Sequence, residues 1–198
     1  VSGVSDYQVL FGCIGADGGV IDLRLVNVSV SGANHVGALA GWSYGAVSRC
    51  SATGAVAGAS DTGGLLGTND GAVSNSHAAC AVLSNGWWVG GLVGAHHNTG
   101  LISYCYAAGK VEGVSCVGGL VGGNSGATQN SYATGKVVGT EQYAGGLVGR
   151  NYSGSVTNCY ATGSVSGNIH VGGLAGMNYS GRTIENCYST GLVDGNQN

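Results

Sequence analysis

Residues 144–167 decide the fold. They run Ala144-Gly-Gly-Leu-Val-Gly149, then Arg150-Asn-Tyr-Ser153, then Gly154-Ser-Val-Thr-Asn-Cys-Tyr-Ala-Thr-Gly-Ser-Val-Ser-Gly167. In the second block Cys159, Ala161, Gly163 and Val165 alternate with Tyr160, Thr162 and Ser164. Small or apolar residues at every second place describe a strand with one buried side. No 3.6-residue pattern of helix length accompanies it, and each interior Gly would cost a helix about 1 kcal/mol relative to Ala.

The same unit recurs on both sides. Cores related to Ala144–Gly149 are Val36–Gly41, Thr62–Gly67, Val89–Gly94, Val117–Gly122 and Val171–Gly176, with a degenerate copy at Leu10-Phe-Gly-Cys-Ile-Gly15. Their third positions fall at 12, 38, 64, 91, 119, 146 and 173. Copies of the second block begin at Gly19, Gly45, Gly71, Gly100, Gly126 and Gly181, so repeats fill the chain as one domain, 1–198. A period near 27 is too short for a propeller blade, and one dependable Leu per unit does not make a leucine-rich repeat. The expected fold is all-β: a β-solenoid (parallel β-helix) of about seven coils, on the order of 34 Å long at about 4.8 Å per coil.

Composition agrees and excludes several classes. The 198 residues contain 41 Gly, no Pro, 43% hydrophobic and 8% charged residues. Collagen needs Gly every third place with abundant Pro, and a disordered linker would lack this apolar content. Six scattered Lys and Arg in a chain of net charge −3 provide no basic stripe for nucleic acid. No apolar run reaches membrane-spanning length, so membrane insertion is not expected. The chain starts at Val1 without a leader, which reads as a processed secreted chain or an excised segment of a larger surface protein.

In a solenoid each position stacks on its equivalents, so columns carry the information. Cys13, Leu39, Leu65, Leu92, Leu120, Leu147 and Leu174 form the expected core column. Asp17, Ser43, Asn69, His96, Asn124, Asn151 and Asn178 form a polar column, and Asn75, Asn130, Asn158 and Asn186 another. Asn tolerates left-handed turns and bonds between coils, so both are expected to be structural ladders. Tyr106, Tyr132, Tyr160 and Tyr188 form an outward strip, read as a brace or as an interaction face.

Seven Cys cannot all pair within one chain. Cys50, Cys105, Cys159 and Cys187 share an inward column with Ser76 and Ser131, which reads as a choice of small residues and buried thiols. Cys159 and Cys187 sit on adjacent coils within disulfide range. Cys116, in the variable column His35, Asp61, Trp88, Cys116, Tyr143 and His170, is the expected exposed thiol. Without a CxxC pair no metal site is expected. No nucleophile elbow is present, no Asp is placed to orient a His, and the nine acids are scattered, so neither catalytic residues nor cofactors are assigned. Trp87, Trp88, His96 and His97, beside a lengthened coil, form the least regular patch and a candidate binding site. Sequons at Asn27, Asn151 and Asn178 are candidate glycosylation sites.

The unit GGLVG-x-N-x-G-x-V-x-N-C-Y-A-T-G-x-V resembles the GLUG motif, a short repeat of bacterial surface and secreted proteins, including adhesin-like proteins and immunoglobulin A peptidases. The resemblance covers the whole chain, is specific in copies four to seven and looser in copies one to three. It implies an extracellular, non-catalytic module and transfers no active-site residue. Two functions are expected to compete. One is a structural subunit stacking head to tail into a fibre, because neither capping helix nor Pro guards the terminal coils. The other is an adhesin module binding glycan or a host surface protein.

Overall fold

The computed structural model describes residues 6, 9–97, 99–179 and 181–196. Among them there is no helix, and every strand pairing is parallel. Seven coils build four sheets running along the rod. The strands carrying the Leu-Val-Gly segment form the first: Phe11–Ile14, Ala40–Ser43, Leu66–Asn69, Val93–His96, Val121–Asn124, Val148–Asn151 and Ala175–Asn178. Gly19–Ile21 and its equivalents down to Ile184–Glu185 form the second. The third begins as unbroken eight-residue strands, Arg24–Ser31, Ser51–Gly58 and His77–Ser84. In later coils each is split into two short strands, such as Tyr106–Ala107 and Val111–Gly113. The fourth runs from Asn34–Val36 to Ile169–Gly172.

In coils three to seven the paired Gly residues make a corner with no room for a side chain, and in coil two Ala38 takes the second place. A Cβ on Gly118 would fall on the carbonyl oxygen of Val121 in its own coil, and one on Gly119 on the carbonyl oxygen of Gly146 in the next. The chain therefore turns sharply and packs backbone on backbone there. Just inside this corner Leu39, Leu65, Leu92, Leu120 and Leu147 are fully buried, each contributing about 1.5–3 kcal/mol of apolar burial.

The first coil departs from the expected register. Phe11 pairs with Ala40, Cys13 with Trp42 and Ile14 with Ser43. Cys13 is therefore not in the Leu column but exposed on the outside, and Ile14 rather than Asp17 continues the polar column. The degenerate core Leu10–Gly15 lacks the Gly-Gly pair that fixes the corner in coils three to seven, so similarity misaligned it by three places.

The remaining ladders have specific bonds. Asn124 Nδ2 donates to Asn151 Oδ1 at 2.9 Å, and Asn151 Nδ2 to Asn178 Oδ1 at 2.7 Å. Asn75, Asn130, Asn158 and Asn186 all lie at φ between 49° and 54°, the left-handed region that Asn tolerates. The next residue in each coil belongs to the Cys/Ser column, which selects hydrogen-bond donors as well as size. Cys105 Sγ donates to Ser103 O at 3.2 Å, as Ser131 Oγ donates to Gln129 O at 2.7 Å. The Cys105 N–H in turn donates to Ser131 Oγ.

Cys159 and Cys187 follow this pattern and are free thiols, not a disulfide. Each Sγ donates to the carbonyl two residues earlier, and Cys187 Sγ accepts the Cys159 N–H at 3.3 Å. In-register parallel strands point the two side chains the same way rather than at each other. Burial lifts the Cys80, Cys105 and Cys159 thiols to about 11. Cys116, expected to be exposed, is fully buried.

Candidate binding cleft on one lateral face

The variable column is a row of one-residue bulges. His35, Asp61, Trp88, Cys116, Tyr143 and His170 lie at φ between 49° and 63°. Trp87 pairs with Ser115 and Val89 with Val117, which leaves Trp88 and Cys116 out of the ladder. The last Gly of each core admits the neighbouring bulge. A Cβ on Gly122 would strike the backbone at Trp88, and one on Gly149 the backbone at Cys116. Two further columns share this face. One is Trp42, Thr68, Ala95, Gly123, Arg150 and Met177. The other, one residue past the polar ladder, is Tyr44, Asp70, His97, Ser125, Tyr152 and Tyr179.

Two aromatic clusters result, separated by small residues. In coils two to four, Trp42 packs against His35 at 4.9 Å, stacks on Tyr44 at 5.6 Å and meets His97 edge-on at 5.6 Å. Trp42 Nε1 donates to Asp70 Oδ2 at 2.7 Å, and His97 Nδ1 lies 3.0 Å from the same oxygen. His35 Nδ1 lies 2.9 Å from Thr68 Oγ1 and 3.5 Å from Asp61 Oδ2. Burial raises the pKa of Asp61, opposed in part by His35 and His97. In coils six and seven, the Arg150 guanidinium lies 4.8, 4.1 and 4.8 Å from the rings of Tyr143, Tyr152 and Tyr179. It donates to the hydroxyls of Tyr152 at 2.7 Å and Tyr179 at 2.5 Å.

Coil five contributes only Cys116, Gly123 and Ser125 between these clusters. The gap is a cleft of about 510 Å³ lined by Trp88, Ala95, His96, His97, Gly123, Ser125, Tyr152 and Ser153. Trp88 lies against Gly123, where a Cβ would come within 2.9 Å of its ring, and meets Tyr152 edge-on at 6.5 Å.

The structure divides the expected patch. Trp88 and His97 face the cleft, but Trp87 is 53% exposed and is not among the lining residues. His96 belongs to the polar ladder: it is buried, 3.1 Å from Asn69 Nδ2 and 3.2 Å from Ala127 O. Burial lowers its pKa to about 4. Asp70 does orient a histidine, His97, contrary to the reading that no Asp is so placed. The two are separated by 26 residues of sequence but are neighbours across one coil, so a search for local motifs misses them. Sequence reasoning also passed over Trp42, Arg150, Ser125 and Tyr152. Their signal is a column whose chemistry changes at every coil of an otherwise repetitive grid.

The Tyr strip is a face-to-face stack. Ring centroids of Tyr106, Tyr132, Tyr160 and Tyr188 are 5.0, 4.8 and 5.0 Å apart with planes within 4°, and His77 extends the row at 4.5 Å. Its π faces are turned to one another, so it braces the third sheet and offers solvent ring edges and hydroxyls. Of the sequons, Asn27 is exposed. Asn151 is buried and its Nδ2 donates to Gly154 O as well as Asn178 Oδ1, so it is no acceptor for a glycan. Asn178 is exposed with Nδ2 donating to Arg182 O, and Ser180 of its sequon lies outside the described residues.

The model of the GLUG motif matches at residues 85–112, 113–138, 140–166 and 167–194, over half of the chain. The chain belongs to the GLUG-motif family. The matched GLUG units are coils four to seven, those in which the third sheet is split around a Gly such as Gly109 or Gly135. Coils one to three keep that strand whole and lie outside the match. No curated protein matches the chain significantly. Among solved structures, a candidate immunoglobulin A1 protease from Bacteroides ovatus is similar, with a TM-score of 0.75 and 23% identity. The similarity covers 94% of this chain and spans 64% of that one, and at this identity it carries the β-helical fold alone. Among the described residues no group of three or more His, Cys, Asp or Glu could hold a metal ion, and no helix is long and apolar enough to cross a membrane.

Proposed function

We propose that this GLUG domain is a non-catalytic structural rod of an extracellular surface protein, extended head to tail by coils stacking on its ends. One observation carries the reading. All four sheets run along the rod, in register apart from a shift between Leu25 and Val28 in the first coil, and at the outermost described coils their strands are bonded on one side only. Ala175–Asn178 pairs with Val148–Asn151 alone, and Phe11–Ile14 with Ala40–Ser43 alone. A second copy set end to end would continue the sheets through these one-sided strands. Negative-stain microscopy over a range of concentrations tests the stacking. Rods several times the length of one copy are expected, and monodisperse single-copy rods at every concentration would refute it.

The cleft favours a second reading, an adhesin module that holds a glycan or host protein on its side. Unlike the Tyr stack, it presents ring surface together with polar groups in a concave site. Adhesion of protein-coated beads to a mucin layer tests this reading. Adhesion is expected of the wild type and is expected to fall when Trp88 is replaced.

A further inference from the structure

We propose that the cleft across coils four to six binds a neutral pyranose, one sugar ring of an oligosaccharide, with Trp88 and Tyr152 as its apolar wall and His97 and Ser125 as its polar rim. The inference rests on the adhesin reading and names the chemistry of what the site holds.

Three features select this ligand. The cleft offers ring surface from Trp88 and Tyr152 above a floor of Ala95 and Gly123, which suits the C–H face of a sugar. At the rim, His97 Nδ1 is held by Asp70, so the ring presents Nε2 as the nitrogen left to bond a ligand hydroxyl. Ser125 Oγ stands one coil further along and makes no side-chain hydrogen bond among the described residues. A hydroxyl is donor and acceptor at once and can serve either partner. No Asp, Glu, Lys or Arg is among the lining residues, which favours a neutral ligand over an ionic one. The terminal nitrogens of Arg150 are bonded to Tyr152 and Tyr179, and the Asp70 carboxylate to Trp42 and His97. At about 510 Å³ the cleft is within the range of small-molecule sites, about 300–1,000 Å³.

Trp88 packs on Gly123 and meets Tyr152 edge-on, so the two rings form one wall. Among the described residues no other coil combines small central residues with aromatic rings on both sides. Coil three carries Thr68 and Asp70 at the equivalent places, and coil six carries Arg150 and Tyr152.

Tryptophan fluorescence and calorimetric titration with the methyl glycosides of glucose, galactose, mannose and N-acetylglucosamine, and with sialic acid as the charged arm, test the assignment. Saturable binding of at least one neutral glycoside is expected, with sialic acid weaker. Trp88→Ala is expected to weaken it at least tenfold, and Trp87→Ala, outside the cleft, to leave it unchanged. Ser125→Leu fills the rim without touching the Trp wall and is expected to abolish binding. Thermal melts check that each variant is folded. No binding tighter than about 10 mM by any neutral glycoside, or binding indifferent to both Trp88→Ala and Ser125→Leu, overturns the inference. Bead adhesion that depends on Trp88 but is competed by none of these sugars overturns it too, while leaving the adhesin reading in place.

Discussion

Replacing His96 by Asn should change how this protein responds to acid. His96 occupies a place held by Asn69, Asn124, Asn151 and Asn178 in neighbouring coils. Its bonds fix its tautomer. Ala127 O can only accept, so Nε2 carries the hydrogen, and Nδ1 accepts from Asn69 Nδ2. The neutral ring is therefore fully bonded. A second proton on Nδ1 would face an amide N–H in a buried site, and burial lowers the pKa to about 4. The ordinary value near 6.5 applies in the unfolded chain. Between these values the unfolded chain takes up a proton that the folded one refuses. The contribution is complete above about pH 6.5 and disappears as pH falls toward 4. A shift of this size amounts to about 3 kcal/mol in all, of which about 2 kcal/mol is gone by pH 5. His96→Asn removes the titrating group and places an amide where it can join the ladder. Urea unfolding followed by circular dichroism, for both proteins from pH 7.5 to 4.5, measures the difference. Asp61 acts in the opposite sense, since its raised pKa makes its contribution fall as pH rises. It is common to both proteins and cancels in the comparison. An equal loss of stability in wild type and His96→Asn between pH 7 and 5 would refute the reasoning.

Other predictions concern the columns. In a native thiol assay with an aromatic disulfide, exposed Cys13 should react first and half-buried Cys187 more slowly, with the five buried thiols reacting only on unfolding. Five or more fast equivalents would contradict the burial described. Cys105→Ser should be nearly neutral, because Ser131 makes the same bonds one coil away, whereas Cys105→Ala should cost about 1–2 kcal/mol in urea unfolding by removing the donor to Ser103 O. Equal effects would mean that the column selects size alone. Leu120→Ala at the centre of the core should cost about 2–5 kcal/mol by the same measure.

The fold was legible because the repeat writes it seven times. Strand period, Gly corner and Leu column reinforce one another in every unit from Val36 onward, and errors came where that redundancy failed. Leu10–Gly15 has no Gly-Gly pair, so nothing in its letters fixed the register, and Cys13 went to the wrong side of the wall. The cleft was legible only in part, for a related reason. Trp88 and His97 drew notice as irregularities within one coil, yet the site is made between coils. Asp70, Ser125 and Tyr152 are ordinary residues in their own rows and become a site only when the rows are stacked in register. Cys116 misled because a variable position suggests exposure. Its side chain lies on the same lateral face as Trp88 but is covered there by Arg150 and Tyr152, and burial outweighs their influence on the thiol.

The bulge column also separates two burdens that most proteins place on the same residues. Its backbone shape is held by the Gly beneath it and by ladder bonds on either side, so the identity of the bulge residue is nearly free. His35, Asp61, Trp88, Cys116, Tyr143 and His170 share one conformation and almost nothing else. Such a chain can vary the chemistry along its flank one coil at a time while its interior stays as it was. At its exposed positions, exchange among residues that tolerate positive φ changes what the surface presents while leaving the ladder and the core as they were.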